Sequence, residues 1–359
     1  MKQLSTMVLL FFYAALSFAH DPGLSSADIA IQPHHVTAKI TFSLQDIEAL
    51  VPMDADQDAE VTLPEQEAAK PKIAQWVADG IQLNLDGEVV KAESAIAVNF
   101  DDKNNAQIDL LYGKLPEKSL NVQLSYLSKL PKGHQEFVII QDHTGKHLHE
   151  KMLSQQDNTL TFSITGEQTA EPVKNATFSE FFLLGIEHIL TGYDHLLFLF
   201  ALLVVTHEFW AAFKIITFFT IAHSITLGLA SLNVVTIPSD IVEPLIAASI
   251  VYVGVENMLR SEPKGRQWLT FSFGLIHGFG FAAVLQEMNI STNESGIALP
   301  LFSFNLGVEI GQITVASIVL PIIWWLHKKP QIEPRLTPIC SILASLAGAY
   351  WLIERTVLA

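Results

Sequence analysis

The pattern of apolar positions divides this chain into two halves with different periods. From Val36 onward, apolar and polar residues alternate in short runs, VTAKITF, IQLNLDG, AIAVNF, AQIDLLY, SLNVQLSYL, EFVIIQD and TLTFSIT, separated by turns rich in Asp, Asn, Gly, Pro and Lys. Period-2 alternation turns one face of each run to a core and the other to water, so these runs read as strands. Seven or eight of them in about 130 residues predict an antiparallel, Ig-like β sandwich. One stretch interrupts the alternation. PEQEAAKPKIAQWVADG places its apolar residues on one side of a helix, and Thr62-x-x-Glu65 before it is a capping-box pattern.

After the polar stretch GEQTAEPVKNAT the period-2 signal gives way to long apolar runs near 179–206, 211–232, 241–259, 267–287, 297–326 and 335–354. Each is long enough to cross about 30 Å of hydrocarbon as a helix. The expected layout is an extracytoplasmic β domain over 20–165, a linker over 166–178 and a six-helix transmembrane domain over 179–359. The N-terminus, MKQLSTMVLLFFYAALSFAHDPG, has Lys2, an apolar stretch from Met7 to Leu16 and small residues at Ser17 and Ala19, which reads as a signal peptide over 1–19. Basic residues collect in alternate loops, at Lys214, at Arg260, Lys264 and Arg266, and at Lys328, Lys329 and Arg335, while loops 233–240 and 288–296 have none. The positive-inside rule then sets the topology in the cytoplasmic (inner) membrane, with the N-terminal domain and the C-terminus both on the periplasmic side.

Composition agrees with this division. The chain is 50% hydrophobic and 16% charged over 359 residues, too apolar for an ordinary soluble enzyme. Between His20 and Phe178 there are 24 acidic and 12 basic residues, so most of the net charge of -16 belongs to the first half. Such a surface excludes nucleic acid as a partner, because phosphate binding needs clustered Lys and Arg, and it attracts cations instead. The single cysteine, Cys340, lies in a late apolar run, so the β domain has no disulfide and stands on its own core.

Candidate chemistry begins in the first half. DADQDAEVTLPE puts Asp54, Asp56, Asp58, Glu60, Thr62 and Glu65 at positions 1, 3, 5, 7, 9 and 12 of an EF-hand-like loop, the oxygen-ligand spacing that wraps calcium. Ala59 stands where that loop's tight turn calls for Gly, the residue that tolerates positive φ. Cleavage after Ala19 would leave His20 with a terminal amine and an imidazole on one residue, a chelating pair for exported metal, with His34, His35, His143, His147 and His149 as helpers.

The second half carries polar groups that hydropathy disfavours. The first span contains GIEHILTGYDHLLFL, with Glu187, His188, Asp194 and His195; the second contains IAHSITL, with His223 and Ser224. The third has Glu243, Glu256 and Asn257, the fourth GLIHGFGFA with His277, and the fifth FNLGVEIGQ, where Asn305, Glu309 and Gln312 form one polar stripe at i, i+4 and i+7. An ionised group at the bilayer centre costs about 2.5–3.5 kcal/mol, so a set this large needs partners, and imidazole with carboxylate is one partnership. Helix-to-helix hydrogen bonding accounts equally well for Ser224, Asn257, Asn305 and Gln312. His188 and His195 are seven apart, about 10 Å along a straight helix, and Thr191-Gly192 between them allows a break. Gly274 and Gly278 let another helix approach around His277.

At these residues the chain resembles the HupE/UreJ family, in particular its branch with a large exported N-terminal domain. The resemblance covers roughly 178–355 and rests on a histidine, five residues and then Asp-His, here His188 through Asp194-His195. It implies a nickel or cobalt permease associated with hydrogenase and urease maturation. The family's second motif, Phe-His-Gly followed by a further His-Gly and a Glu, is represented only by GLIHGFGF, which keeps His277 and Gly278 and lacks the first histidine and the trailing acid. Glu309 of the fifth span is available to replace that acid.

Nitrogen and oxygen ligands suit Ni²⁺, Co²⁺ or Zn²⁺, and no nucleotide motif is present to drive transport. The leading expectation is a secondary permease for a divalent transition metal, with His188, Asp194, His195, His223, His277 and Glu309 forming the membrane site. Its other partners would be the lipid bilayer and metalloenzyme-maturation proteins, with calcium as a further ion at the acidic loop. Two other classes fit the same residues. One is an intramembrane hydrolase in which three histidines hold Zn²⁺ and an acid activates its water; the other is an assembly or sensor protein with a structural metal.

Overall fold

The computed structural model describes residues 23–56, 61–101, 105–164, 173–232, 234–235, 237–260, 265–287 and 298–357. The expected signal peptide and His20 lie outside them, as do Asp58, Ala59 and Glu60 of the acidic loop. Between Glu180 and Phe181 the chain passes from one compact unit to another.

The first unit is built from two sheets. Its strands are β1 (Leu24–Ile31), β2 (Val36–Ser43), β3 (Ile81–Leu85), β4 (Glu88–Val90), β5 (Ser94–Phe100), β6 (Asn105–Tyr112), β7 (Ser119–Leu124), β8 (Gln135–Asp142), β9 (His147–Ser154) and β10 (Thr159–Ser163). One sheet runs β5-β6-β2-β1-β8-β9 and the other β10-β7-β3-β4. The alternating runs account for seven of these strands. The sheet is not purely antiparallel, since β1 pairs antiparallel with β2 and parallel with β8. That correction follows from the connection: an intervening stretch of about a hundred residues is free to return in either direction, whereas a tight hairpin is not.

Two helices complete this unit, α1 (Leu44–Leu50) and α2 (Leu63–Gly80). Helix α2 begins at the expected capping box, with Pro64 in its first turn, where a missing N–H costs nothing. Its Ile73 and Val77 join Phe42, Ile40, Leu83, Val122 and Leu160 in one core drawn from both sheets. Between β3 and β4, Asp86 and Gly87 both adopt positive φ, as a two-residue hairpin turn requires. The Asp86 carboxylate accepts backbone N–H bonds from Glu117, Lys118 and Ser119, which hold it below the usual carboxylate range.

The second unit, over Phe181–Ala283 and from Pro300 onward, is helical, and its helices, three of which run past these bounds, are α3 (Val173–Thr191), α4 (Tyr193–Leu203), α5 (Phe209–Ser231), α6 (Ser239–Leu259), α7 (Arg266–Glu287), α8 (Ala298–His327) and α9 (Glu333–Val357). From Val173 the chain is already helical, inside the stretch expected as linker. Among the described residues, four helices are long and apolar enough to cross a membrane: α5, α6, α8 and α9. A fifth crossing is made if α3 and α4 count as one span, bent by 70° at Gly192. Several apolar helices of this kind mark a membrane protein in contact with lipid. Helix α6 packs along α9, where a Cβ on Gly254 would lie 2.8 Å from the Ser341 carbonyl. The α5–α7 approach is as close: a Cβ on Gly278 would come within 2.5 Å of the His223 carbonyl.

Candidate metal centre

The bend at Gly192 creates the site. On a straight helix His188 and His195 would be separated by about 10 Å of axial rise; across the break their rings stand 4.6 Å apart, centre to centre. Gly192 is closely hemmed, since a Cβ there would meet the His188 carbonyl at 2.7 Å and His195 Nδ1 at 3.1 Å. From α5, His223 brings its ring to 6.3 Å from that of His188, and from α7, His277 comes to 5.1 Å from His195. His188, His195 and His223 offer ligand atoms that all lie within 4.8 Å of one another. All four imidazoles are buried. Phe198, Phe219, Phe281 and Phe304 wall them in, with Phe281 and Phe304 stacked face to face at 4.4 Å.

Hydrogen bonds select which nitrogen three of the rings present. Asp194 Oδ1 accepts from His195 Nδ1 at 2.9 Å and from the His195 backbone N–H at 2.8 Å. The Phe273 carbonyl accepts from His277 Nδ1 at 2.9 Å. Asn305 donates its amide to the Leu301 carbonyl, so its Oδ1 faces His223 Nδ1 at 3.1 Å as an acceptor. In each case the proton sits on Nδ1, and a neutral ring then carries its lone pair on Nε2. His223 Nε2 and His277 Nε2 are buried without a hydrogen-bond partner among the described residues. A buried acceptor that meets no donor is costly and needs a reason. A Lewis acid is one that fits this donor set.

Other sequence candidates lie outside the ring. Glu309 accepts from Thr217 Oγ1 at 2.8 Å, one helical turn along α8 from Asn305, and Gln312 accepts from Thr220 at 3.3 Å. Ser224 donates to the Thr220 carbonyl in its own helix. Glu187 lies one residue before His188, partly buried, and its carbonyl accepts from the Thr191 hydroxyl. Glu256 and Asn257 form a separate cluster: Asn257 donates to the Ala201 carbonyl and accepts from Arg266, which also lies 3.6 Å from Glu256. The residue that sequence reading passed over is Arg355 of α9. Its Nη2 is 3.8 Å from Asp194 Oδ2, and its Nε is 3.5 Å from Glu243 Oε2. An arginine near a chain end carries no local signal, since its partners are about 110 and 160 positions away.

In the first unit, Asp54, Asp56 and Glu65 bring one oxygen each within 4.8 Å of one another. The Glu65 carboxylate already serves the helix, accepting from the Ala55 N–H, the Thr62 N–H and the Thr62 hydroxyl. Those bonds hold its pKa down. Beyond this loop, His147 pairs with Glu150 rather than with His149, which stacks on Phe162.

A family model described as HupE / UreJ protein matches residues 165–355, a stretch that contains the whole histidine cluster. No curated protein matches the chain.

Proposed function

The chain belongs to the HupE/UreJ family, which is linked to nickel or cobalt transport or to metallocentre assembly, and on that footing we propose that it is a secondary permease for a divalent transition metal of the nickel and cobalt class. The observation that carries this reading is the convergence of His188, His195 and His223, from both halves of a broken helix and from α5, with ligand atoms within 4.8 Å of one another. Imidazole nitrogens suit borderline divalent ions, and a site enclosed by phenylalanines strips water from the cargo. His277 Nε2 adds a donor next to the ring. In this reading α7 is the sixth span, the first unit is an Ig-like sandwich on the periplasmic side of the inner membrane, both termini face that side, and the metal goes to a metalloenzyme-maturation partner.

Compactness of the ring favours one rival, the zinc-dependent hydrolase, because three imidazoles are also a zinc set. That chemistry needs a carboxylate beside the metal-bound water. Asp194 is instead turned to His195 and Arg355, and Glu309 to Thr217, which weighs against it.

Purified protein in vesicles, compared with its His195→Ala and His223→Ala variants, tests the proposal. Ni²⁺ or Co²⁺ uptake above empty vesicles, lost in both variants, is the expected result. Uptake no greater than that of empty vesicles, with tightly held zinc retained by the native protein and lost on substitution, would overturn it in favour of the hydrolase or a holding site.

A further inference from the structure

Arg355 occupies the last turn of α9 with its side chain only 9% exposed, between acids contributed by two other helices. Its Nη2 faces Asp194 Oδ2 at 3.8 Å, its Nε faces Glu243 Oε2 at 3.5 Å, and its Nη1 donates to the Glu243 carbonyl at 3.3 Å. A guanidinium keeps its proton in proteins, so this charge is permanent. The two acids differ in setting. Asp194 is mostly buried and holds His195 with its other oxygen, whereas the Glu243 side chain is 43% exposed. A fixed cation is therefore shared between a buried acid that holds a ring of the histidine site and a partly exposed acid of α6.

A divalent cation held by the imidazoles would share the field of Asp194 with this guanidinium, and like charges repel inside a protein. We infer that Arg355 is an electrostatic gate, a built-in cation that competes with the cargo ion for Asp194, with Glu243 setting how much of its charge Asp194 receives. This rests on the metal-permease reading. Without an ion, Arg355 is shared by both acids, 3.8 Å from Asp194 and 3.5 Å from Glu243, and its charge opposes a second cation beside Asp194. An ion held by the imidazoles attracts Asp194 and repels Arg355, which drives the guanidinium towards Glu243; departure of the ion reverses the movement. No bond is made or broken, so a shared ion pair is enough to couple occupancy to the position of the guanidinium.

A plain structural clasp between α4, α6 and α9 makes the opposite forecast, and titration of the full-length protein in detergent with Co²⁺ separates the two. For the gate, R355Q removes the competitor and lowers the Kd about tenfold. E243Q removes the carboxylate charge that competes with Asp194 for Arg355 and raises the Kd about threefold or more. The R355Q/E243Q double variant behaves like R355Q, and R355K, which keeps the charge, stays near the native value. For a clasp, both single variants weaken binding together. Parallel shifts, or none, in a native protein that binds Co²⁺ would overturn the gate and leave the permease reading intact; no Co²⁺ binding by the native protein overturns both. Should R355Q melt too low to titrate, E243Q must still raise the Kd while R355K does not, and any other pair of results counts against the gate.

Discussion

Asn305 decides which nitrogen His223 presents to the site. Its amide is anchored on the Leu301 carbonyl, and its oxygen takes the His223 Nδ1 proton, leaving Nε2 as the lone-pair atom. Groups that orient a ligand in this way are worth about 10–100-fold in metal affinity. Asn305→Ala should therefore weaken Co²⁺ binding by that order and also cost about 1–3 kcal/mol of stability for the stranded His223 Nδ1–H; an unaltered titration would show that Asn305 does not orient a ligand. In the sequence Asn305 is legible as part of a polar stripe with Glu309 and Gln312, and by depth as a neighbour of the histidines. The stripe is real, but its members have different partners, Asn305 with His223, Glu309 with Thr217 and Gln312 with Thr220. Periodicity tells which residues share a helix face. It cannot tell what faces them, and Arg355 was invisible for the same reason.

At the scale of elements, strand alternation and apolar length identified most of the segments, because both are local consequences of burial. β1 escaped because its first half, Leu24-Ser25-Ser26-Ala27, buries two serines rather than alternating with solvent. β4 is three residues long, and β9 carries two histidines, a lysine and a glutamate. The contact of α5 with α7 was foreshadowed by glycines, and it is tight. A Cβ on Gly278 would lie 2.1 Å from Thr226 Oγ1 as well as 2.5 Å from the His223 carbonyl. Gly278→Ala should force the helices apart at about 1–3 kcal/mol and lower the melting temperature measurably; an unshifted melt would mean the packing gives way freely. In the first unit, Tyr126 donates to Glu136 at 2.6 Å, and burial pushes the Glu136 carboxyl up to about 8. Burial also raises Asp28 to about 6. A carboxyl with a raised folded pKa binds its proton more tightly in the fold, so its contribution is full below the ordinary range near 4.5 and is lost as pH climbs towards 8. Each such group tilts stability by about 1.4 kcal/mol per pH unit across its window. Hydrogen exchange of β8 peptides, corrected for intrinsic rates, should show protection falling between pH 5 and pH 8. Glu136→Gln should flatten that fall, and an unchanged slope would remove Glu136 as its source.

At the scale of the whole chain, the charge bias of the loops and the proposed six spans make one joint forecast about sidedness. A single cysteine placed after Val357 in a Cys340→Ser background should react with an impermeant maleimide in intact cells; protection until the membrane is breached would reverse the topology. Under that topology Arg355 is a basic residue held on the side that the loop rule leaves poor in lysine and arginine, which is consistent with a task other than orienting the chain. The 70° bend at Gly192 also has a mechanical side. His188 and His195 ride on two separate rods hinged at one residue, and α4, with 11 residues, is a lever about 16 Å long. A small change of angle at the hinge moves the far end of that lever by ångströms while altering the spacing of the two imidazoles beside the pivot. Whatever occupies the ring and whatever pushes on the end of α4 at Leu203 are therefore connected through one wrist.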